Sequence, residues 1–124
     1  MAFIKFTEGG RSYAAKASLS KSGMLSISDG ARRRFHLDDF GFCVLYYDPD
    51  TNRIGVELTA NKESDGARRI RFRPTGADVA AKSFVDFFGI DARETKTYQV
   101  EQDEESGMLT IDLNQGKTRN SSQT

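Results

Sequence analysis

The chain has 124 residues, with 18 Lys and Arg against 18 Asp and Glu, one Cys, one His and no Trp. That length suits one ordinary domain, or two small units sharing a core, and a formal net charge of zero excludes the whole-chain positive field of a protein that coats nucleic acid. The lone Cys43 and lone His36 exclude a disulfide framework, a thiolate-rich zinc site and a multi-histidine metal site.

The elements follow from hydrophobic period and turn chemistry. Residues 3–7 (FIKFT) read as a short strand, and Glu8 to Arg11 as a turn whose glycines permit positive φ. Over 13–19, Tyr13, Ala15, Ala17 and Leu19 alternate with Ala14, Lys16 and Ser18, which predicts a strand with one buried face. Ser20-Lys21-Ser22-Gly23 breaks it, and residues 24–27 (MLSI) form the next strand. Ser28 or Asp29 supplies an N-cap oxygen for a short helix over 31–35. Residues 38–41 (DDFG) are a turn. The run 42–47 (FCVLYY) is β-branched and aromatic, a strand that places Cys43 in the core and sends Tyr46 and Tyr47 to opposite faces. Asp48 to Asn52 turns the chain, and 53–59 (RIGVELT) returns with Ile54, Val56 and Leu58 on one face.

The second half opens with a polar linker, Asn61 to Gly66. Residues 69–73 (RIRFR) alternate, with Ile70 and Phe72 inward and Arg69, Arg71 and Arg73 outward. Pro74-Thr75-Gly76 interrupts. Ala80, Phe84 and Phe88 recur at helical spacing, extended by Ala81 and Val85, which predicts a helix over 80–88 ending at Gly89. Phe72, Phe84, Phe87 and Phe88 are expected in the core. Strands at 95–100 and 108–113 flank an acidic loop over 101–107, and from Asn114 the polar composition predicts a disordered tail over 114–124.

Setting Gly23 on Gly76, an offset of 53, aligns Phe35-His36-Leu37-Asp38 with Phe88-Gly89-Ile90-Asp91 and the strand 42–47 with 95–100. Each half then reads strand, Gly turn, short strand, short helix, turn, strand, turn, strand. The expected organisation is a first unit over 1–60 with an extra N-terminal strand, and a degenerate second unit over 67–113 sharing one core. Neither unit is large enough to bury its own strands.

The stretch from Gly23 to Leu37, GMLSISDGARRRFHL, followed by the hairpin FCVLYY-DPDTN-RIGVELT, resembles the AbrB/MazE/SpoVT family of swapped-hairpin transcription factors. The helix, the Arg pair at 32–33 and the apolar spacing align without a gap. The sequence departs from the family pattern at Met24, where a basic residue is usual, at Ser28 for Pro, and at His36 for Gly. The second half carries Val85-Asp86 in place of the Arg pair. The resemblance implies a mainly β, α+β chain: a swapped-hairpin AbrB-like β-barrel formed by two tandem pseudo-repeats, either monomeric as a pseudo-dimer or a homo-oligomer. It also implies that helix and Gly-turn cations contact double-stranded DNA, which makes Arg32 and Arg33 the leading candidates, with Lys21 at the turn.

Charge placement adds to this. Residues 1–73 carry 13 Lys and Arg against 9 Asp and Glu, and the remainder carries 5 against 9, so the halves are +4 and −4. Arg32, Arg33 and Arg34 suit phosphate oxygens and guanine edges, or pair locally with Asp29, Asp38 or Asp39. Arg69, Arg71 and Arg73 on one strand face need a counter-charge, either nucleic-acid phosphate or the chain's own Glu101 to Glu105. That acidic run reads foremost as a solubilising turn. There is no phosphate-binding Gly loop, nucleophile elbow or metal-ligand spacing, and His36 has no arranged partner, so the expectation is no catalytic site, no cofactor and no metal. MAFIKFTEGG lacks the apolar core of a signal peptide and no run approaches a membrane span, so the expected setting is a prokaryotic cytoplasm. The expected function is a small DNA-binding transcriptional regulator. The alternative is a protein- or ligand-binding accessory module on the same barrel, suited to a phage or mobile element.

Overall fold

The computed structural model describes residues 15–118. Residues 16–19 form β1 (Lys16–Leu19), and a turn through Gly23 leads into β2 (Met24–Ser28). Helix α1 (Asp29–Arg34) and a 3-10 turn (Leu37–Asp39) precede the hairpin of β3 (Phe42–Asp48) and β4 (Arg53–Thr59). A loop leads to β5 (Arg68–Arg69), β6 (Arg71–Arg73) and β7 (Gly76–Ala80), then to α2 (Lys82–Phe88). The hairpin of β8 (Lys96–Gln102) and β9 (Leu109–Asp112) follows, with a 3-10 turn (Leu113–Gln115) and β10 (Lys117–Thr118). The strand expected over 3–7 and the Tyr13 end of the next lie outside the described residues.

These strands pair antiparallel in the order β5-β3-β4-β9-β8-β1-β2-β7-β6, with β10 also on β8. The two ends of that path, β5 and β6, are consecutive in the chain and meet at Ile70. Arg68 and Arg69 pair with Cys43 and Phe42, the Ile70 amide donates to the Gly41 carbonyl at 2.9 Å, and Arg71 onward pairs with β7. One bent stretch thus nearly closes the sheet into a barrel, which leaves little free edge for unwanted pairing.

Alternation decides what fills it. Ala17, Leu19, Leu25 and Ile27 face inward from β1 and β2, and Ala77 and Val79 from β7. Ile54 and Val56 meet Ile111 and Leu109 across the β4–β9 pairing, and all four are about 1% exposed. Each such aliphatic side chain stabilises the fold by about 1.5–3 kcal/mol relative to exposure. Cys43 is fully buried, and burial pushes its thiol up to about 11. The helices join this core, α1 through Ala31, the 3-10 turn after it through Leu37, and α2 through Phe84, Val85 and the following Ile90.

Strands β2 and β7 position the helices. Their register pairs Ser28 with Gly76 and Met24 with Ala80, so α1 leaves one end of this ribbon and α2 the other, roughly 13 Å apart at strand rise. Both ends are pinned by glycine. Gly76 has φ 151°, and a Cβ there would run into the Ile27 carbonyl. Gly23 has φ 83°, and a Cβ would lie 2.5 Å from the Lys82 Cα. The Ser28 hydroxyl caps α1, accepting from the Ala31 amide at 3.2 Å, so the cap is Ser28 and the helix starts at Asp29.

Several expectations are corrected. Helix α2 begins at Lys82, because Gly76–Ala80 is a strand paired with both β2 and β6. Phe84 is buried, but Phe87 is 81% and Phe88 42% exposed. At about 100° per residue Phe87 lies well round from the inward direction set by Phe84 and Val85, and Phe88, the last residue of the helix, packs against Tyr47. Phe72 is also outside the core, at 38% exposure, because the strand bends at Ile70 and carries it toward α1. The disordered tail expected over 114–124 is corrected over 114–118, where the 3-10 turn Leu113–Gln115 and strand β10 continue the fold, and 119–124 lie outside the described residues.

Candidate nucleic-acid interface

The Arg32-Arg33-Arg34 run sits on a helix of six residues, so its three side chains fan around α1 instead of sharing a face. Arg32 turns toward the β6–β7 hairpin. Its Nη1 donates to the carbonyls of Arg73 at 2.6 Å and Gly76 at 3.2 Å. Its other edge, Nε and Nη2, grips the Asp38 carboxylate at 2.7 and 2.8 Å. The guanidinium also lies over the Phe72 ring, 4.8 Å from its centroid. Hydrogen bonding from Arg32 holds the Asp38 carboxyl below its ordinary range. Arg33 pairs with Asp29 at 3.1 Å, one turn back, and remains 57% exposed. Arg34 is exposed.

Arg73 is built the same way. Its Nε and Nη2 donate to Asp78 at 2.7 and 3.0 Å, and Nη1 reaches the Thr75 hydroxyl at 2.7 Å. The Arg73 bond is the main reason the Asp78 carboxyl is also held low, with a contribution from the Ser26 hydroxyl. The counter-charge for this strand is therefore Asp78 across the hairpin. The acidic residues Glu101, Asp103, Glu104 and Glu105 instead line an open groove with Arg53 and Thr110. Arg71 is exposed, facing Asp78 in register, and Arg69 lies over Phe42 at 5.8 Å.

The fold thus joins two clusters that are 41 residues apart in sequence, since Arg32 bonds directly to the backbone of Arg73. It does not bring Lys21 to them. The turn carrying Lys21 lies at the opposite end of the β2–β7 ribbon, where the Ala81 amide donates to the Gly23 carbonyl at 2.8 Å. Arg68, outside the expected set, binds at that second end, to the Ala80 carbonyl at 2.8 Å and the Ser83 hydroxyl at 3.0 Å.

Local pairing of the helix arginines with Asp29 and Asp38 is legible from spacing. Asp78 is the partner that sequence reasoning missed. The signal was Arg71-Phe72-Arg73-Pro74-Thr75-Gly76-Ala77-Asp78, because a two-residue Pro-Thr loop fixes the register that sets Asp78 opposite Arg71 and diagonal to Arg73. His36 is exposed, with φ 55° at the end of α1. Among the described residues no three His, Cys, Asp or Glu side chains gather where they could hold a metal ion. Among the same residues no helix is long and apolar enough to cross a membrane.

No family model matches this chain, and neither a curated protein nor a solved structure matches it.

Proposed function

We propose that the chain is a swapped-hairpin barrel of the AbrB kind, folded from two pseudo-repeats, and that it acts as a DNA-binding transcriptional regulator in a prokaryotic cytoplasm. The strand order supports the repeat. Exchanging β1, β2, β3 and β4 with β5–β6, β7, β8 and β9 leaves the circular order unchanged. Each long hairpin is also flanked by strands of the other half: β3–β4 by β5 and β9, and β8–β9 by β1 and β4. Equivalent positions share the sign of φ. Gly23 and Gly76 both have positive φ, and His36 at φ 55° matches Gly89 at φ 63°. A left-handed residue there is the reason glycine is the natural choice at position 36.

The observation that carries the function is the meeting of two arginine clusters at one end of the barrel, with Arg33, Arg34 and Arg71 exposed there. Guanidinium groups suit phosphate, and binding led by phosphate contacts is salt-sensitive. The test is fluorescence anisotropy with a mixed-sequence duplex at low and moderate salt, beside Arg33→Ala/Arg34→Ala. Salt-sensitive binding that the variant weakens, with the salt slope flattened by roughly 0.9 per lost phosphate contact, is the expected result. Absence of binding at low salt contradicts the assignment.

A second reading, a protein-binding module, is favoured by one observation. Phe87, Phe88 and Tyr47 form an aromatic patch at the α2 end, with ring centroids 4.8 Å apart for Phe87–Phe88 and 5.2 Å for Tyr47–Phe88. Exposed aromatic clusters of this kind mark association surfaces. A stoichiometric protein partner retained after nuclease treatment and lost with Phe87→Ser would move the assignment to this reading.

A further inference from the structure

Arg32 and Arg73 share an arrangement that goes beyond ordinary surface pairing. In each, the Nε–Nη2 edge of the guanidinium, the edge that grips a phosphate through two oxygens, is filled by one carboxylate in bidentate geometry. The rest of the Arg32 fork is anchored independently of that carboxylate, by the Arg73 and Gly76 carbonyls and the Phe72 ring. Its plane and direction therefore persist if the carboxylate leaves. Asp38, on the 3-10 turn, has a side chain 59% exposed, so water can take the place of Arg32 when the carboxylate swings away. Asp78 is more confined, at 22% exposure.

We infer that Asp38 and Asp78 act as intramolecular competitors for nucleic-acid phosphate. They hold the two forks closed, and a phosphodiester oxygen pair displaces the carboxylate when DNA binds. The inference rests on the DNA-binding reading above and adds a built-in restraint to it. The restraint accounts for three of the arginines at this end being paired when the protein is free: Asp29, Asp38 and Asp78 sit on Arg33, Arg32 and Arg73. Asp38 is the looser competitor and is displaced first.

The test compares duplex binding at low salt for the wild type, Asp38→Asn, Asp78→Asn and Asp65→Asn. Asp65 is exposed in the loop before β5, so its variant removes the same charge without touching a fork. The expected result is binding tightened up to about fivefold by Asp38→Asn, in line with the strength of a solvent-exposed ion pair, and at least as much by Asp78→Asn, whose more confined pair costs more to displace. Asp65→Asn matches the wild type. Near-UV circular dichroism checks that each variant is folded. In the unmodified protein, the Arg32 and Arg73 Nε–H resonances are expected to shift on adding duplex, which tests the displacement without any substitution. If the wild type binds but Asp38→Asn and Asp78→Asn gain no more than Asp65→Asn, and the two resonances do not move, the aspartates are structural partners only and this inference fails while the DNA reading stands. If no protein binds at low salt, both fail.

Discussion

Replacing Arg32 with Ala is expected to cost about 3 kcal/mol, because that side chain ties α1 to the β6–β7 hairpin. Its two bonds to the Arg73 and Gly76 carbonyls are partly buried, and each is worth about 1 kcal/mol net. The pair with Asp38 is discounted to about 0.5 kcal/mol, since Asp38 is 59% exposed and screened by water. The contact with the Phe72 ring adds about 0.5 kcal/mol. Urea denaturation reads the sum directly: at an m-value of about 1.5 kcal/mol/M, the midpoint falls by about 2 M with m unchanged. Arg32→Lys should recover little, because an ammonium cannot bond both carbonyls and a carboxylate in the plane of a fork. Arg34→Ala, on the same helix but exposed, is the control and leaves the midpoint unchanged. An Arg32→Ala midpoint indistinguishable from wild type would refute the claim that this arginine is part of the fold.

Three further outcomes are expected. His36→Gly should stabilise by about 0.5–1 kcal/mol in the same assay, since it relieves a left-handed side-chain penalty of about 1–2 kcal/mol and gives back part of that as unfolded-chain entropy. Phe84→Ala should cost about 3–5 kcal/mol, whereas Phe87→Ser, at a position 81% exposed, should stay within about 0.5 kcal/mol of wild type by thermal or urea unfolding. Asp38 and Asp78 have folded values below their ordinary one, so the folded state binds fewer protons; the stability they contribute is complete above the ordinary carboxylate range and is lost as pH falls through and below that range. Unfolding midpoints measured across that window should decline, and Asp78→Asn should flatten the decline.

Strands β1, β2 and β4 were legible because each carries a clean period of two, with Ala15, Ala17 and Leu19, then Ile54 and Val56, buried as the alternation requires, and β3 was legible as a dense β-branched and aromatic run. Strand β7 was not, because GADVA is short and small, with its identity set by pairing to β2 and β6 and not by its own residues. That omission propagated. With Ala80 read as helical, the apolar stripe runs through Phe88, and the spacing puts Phe87 and Phe88, both exposed in the fold, among the core. The arginine clusters were visible as composition, but their meeting was not, since Arg32 reaches its partners across 41 and 44 residues through backbone carbonyls that no side-chain pattern encodes. Lys21 shows the converse: spacing placed it beside a Gly turn, and only the antiparallel β2–β7 register shows that turn to lie at the other end.

The most direct test of the central claim is an NMR titration of the labelled protein with a mixed-sequence duplex at low salt. The account predicts amide shifts concentrated over 29–38 and 71–78, with the turn at 20–23 and the aromatic patch of Tyr47, Phe87 and Phe88 unmoved. Saturating duplex that moves no resonance, or moves only those around α2, would contradict it.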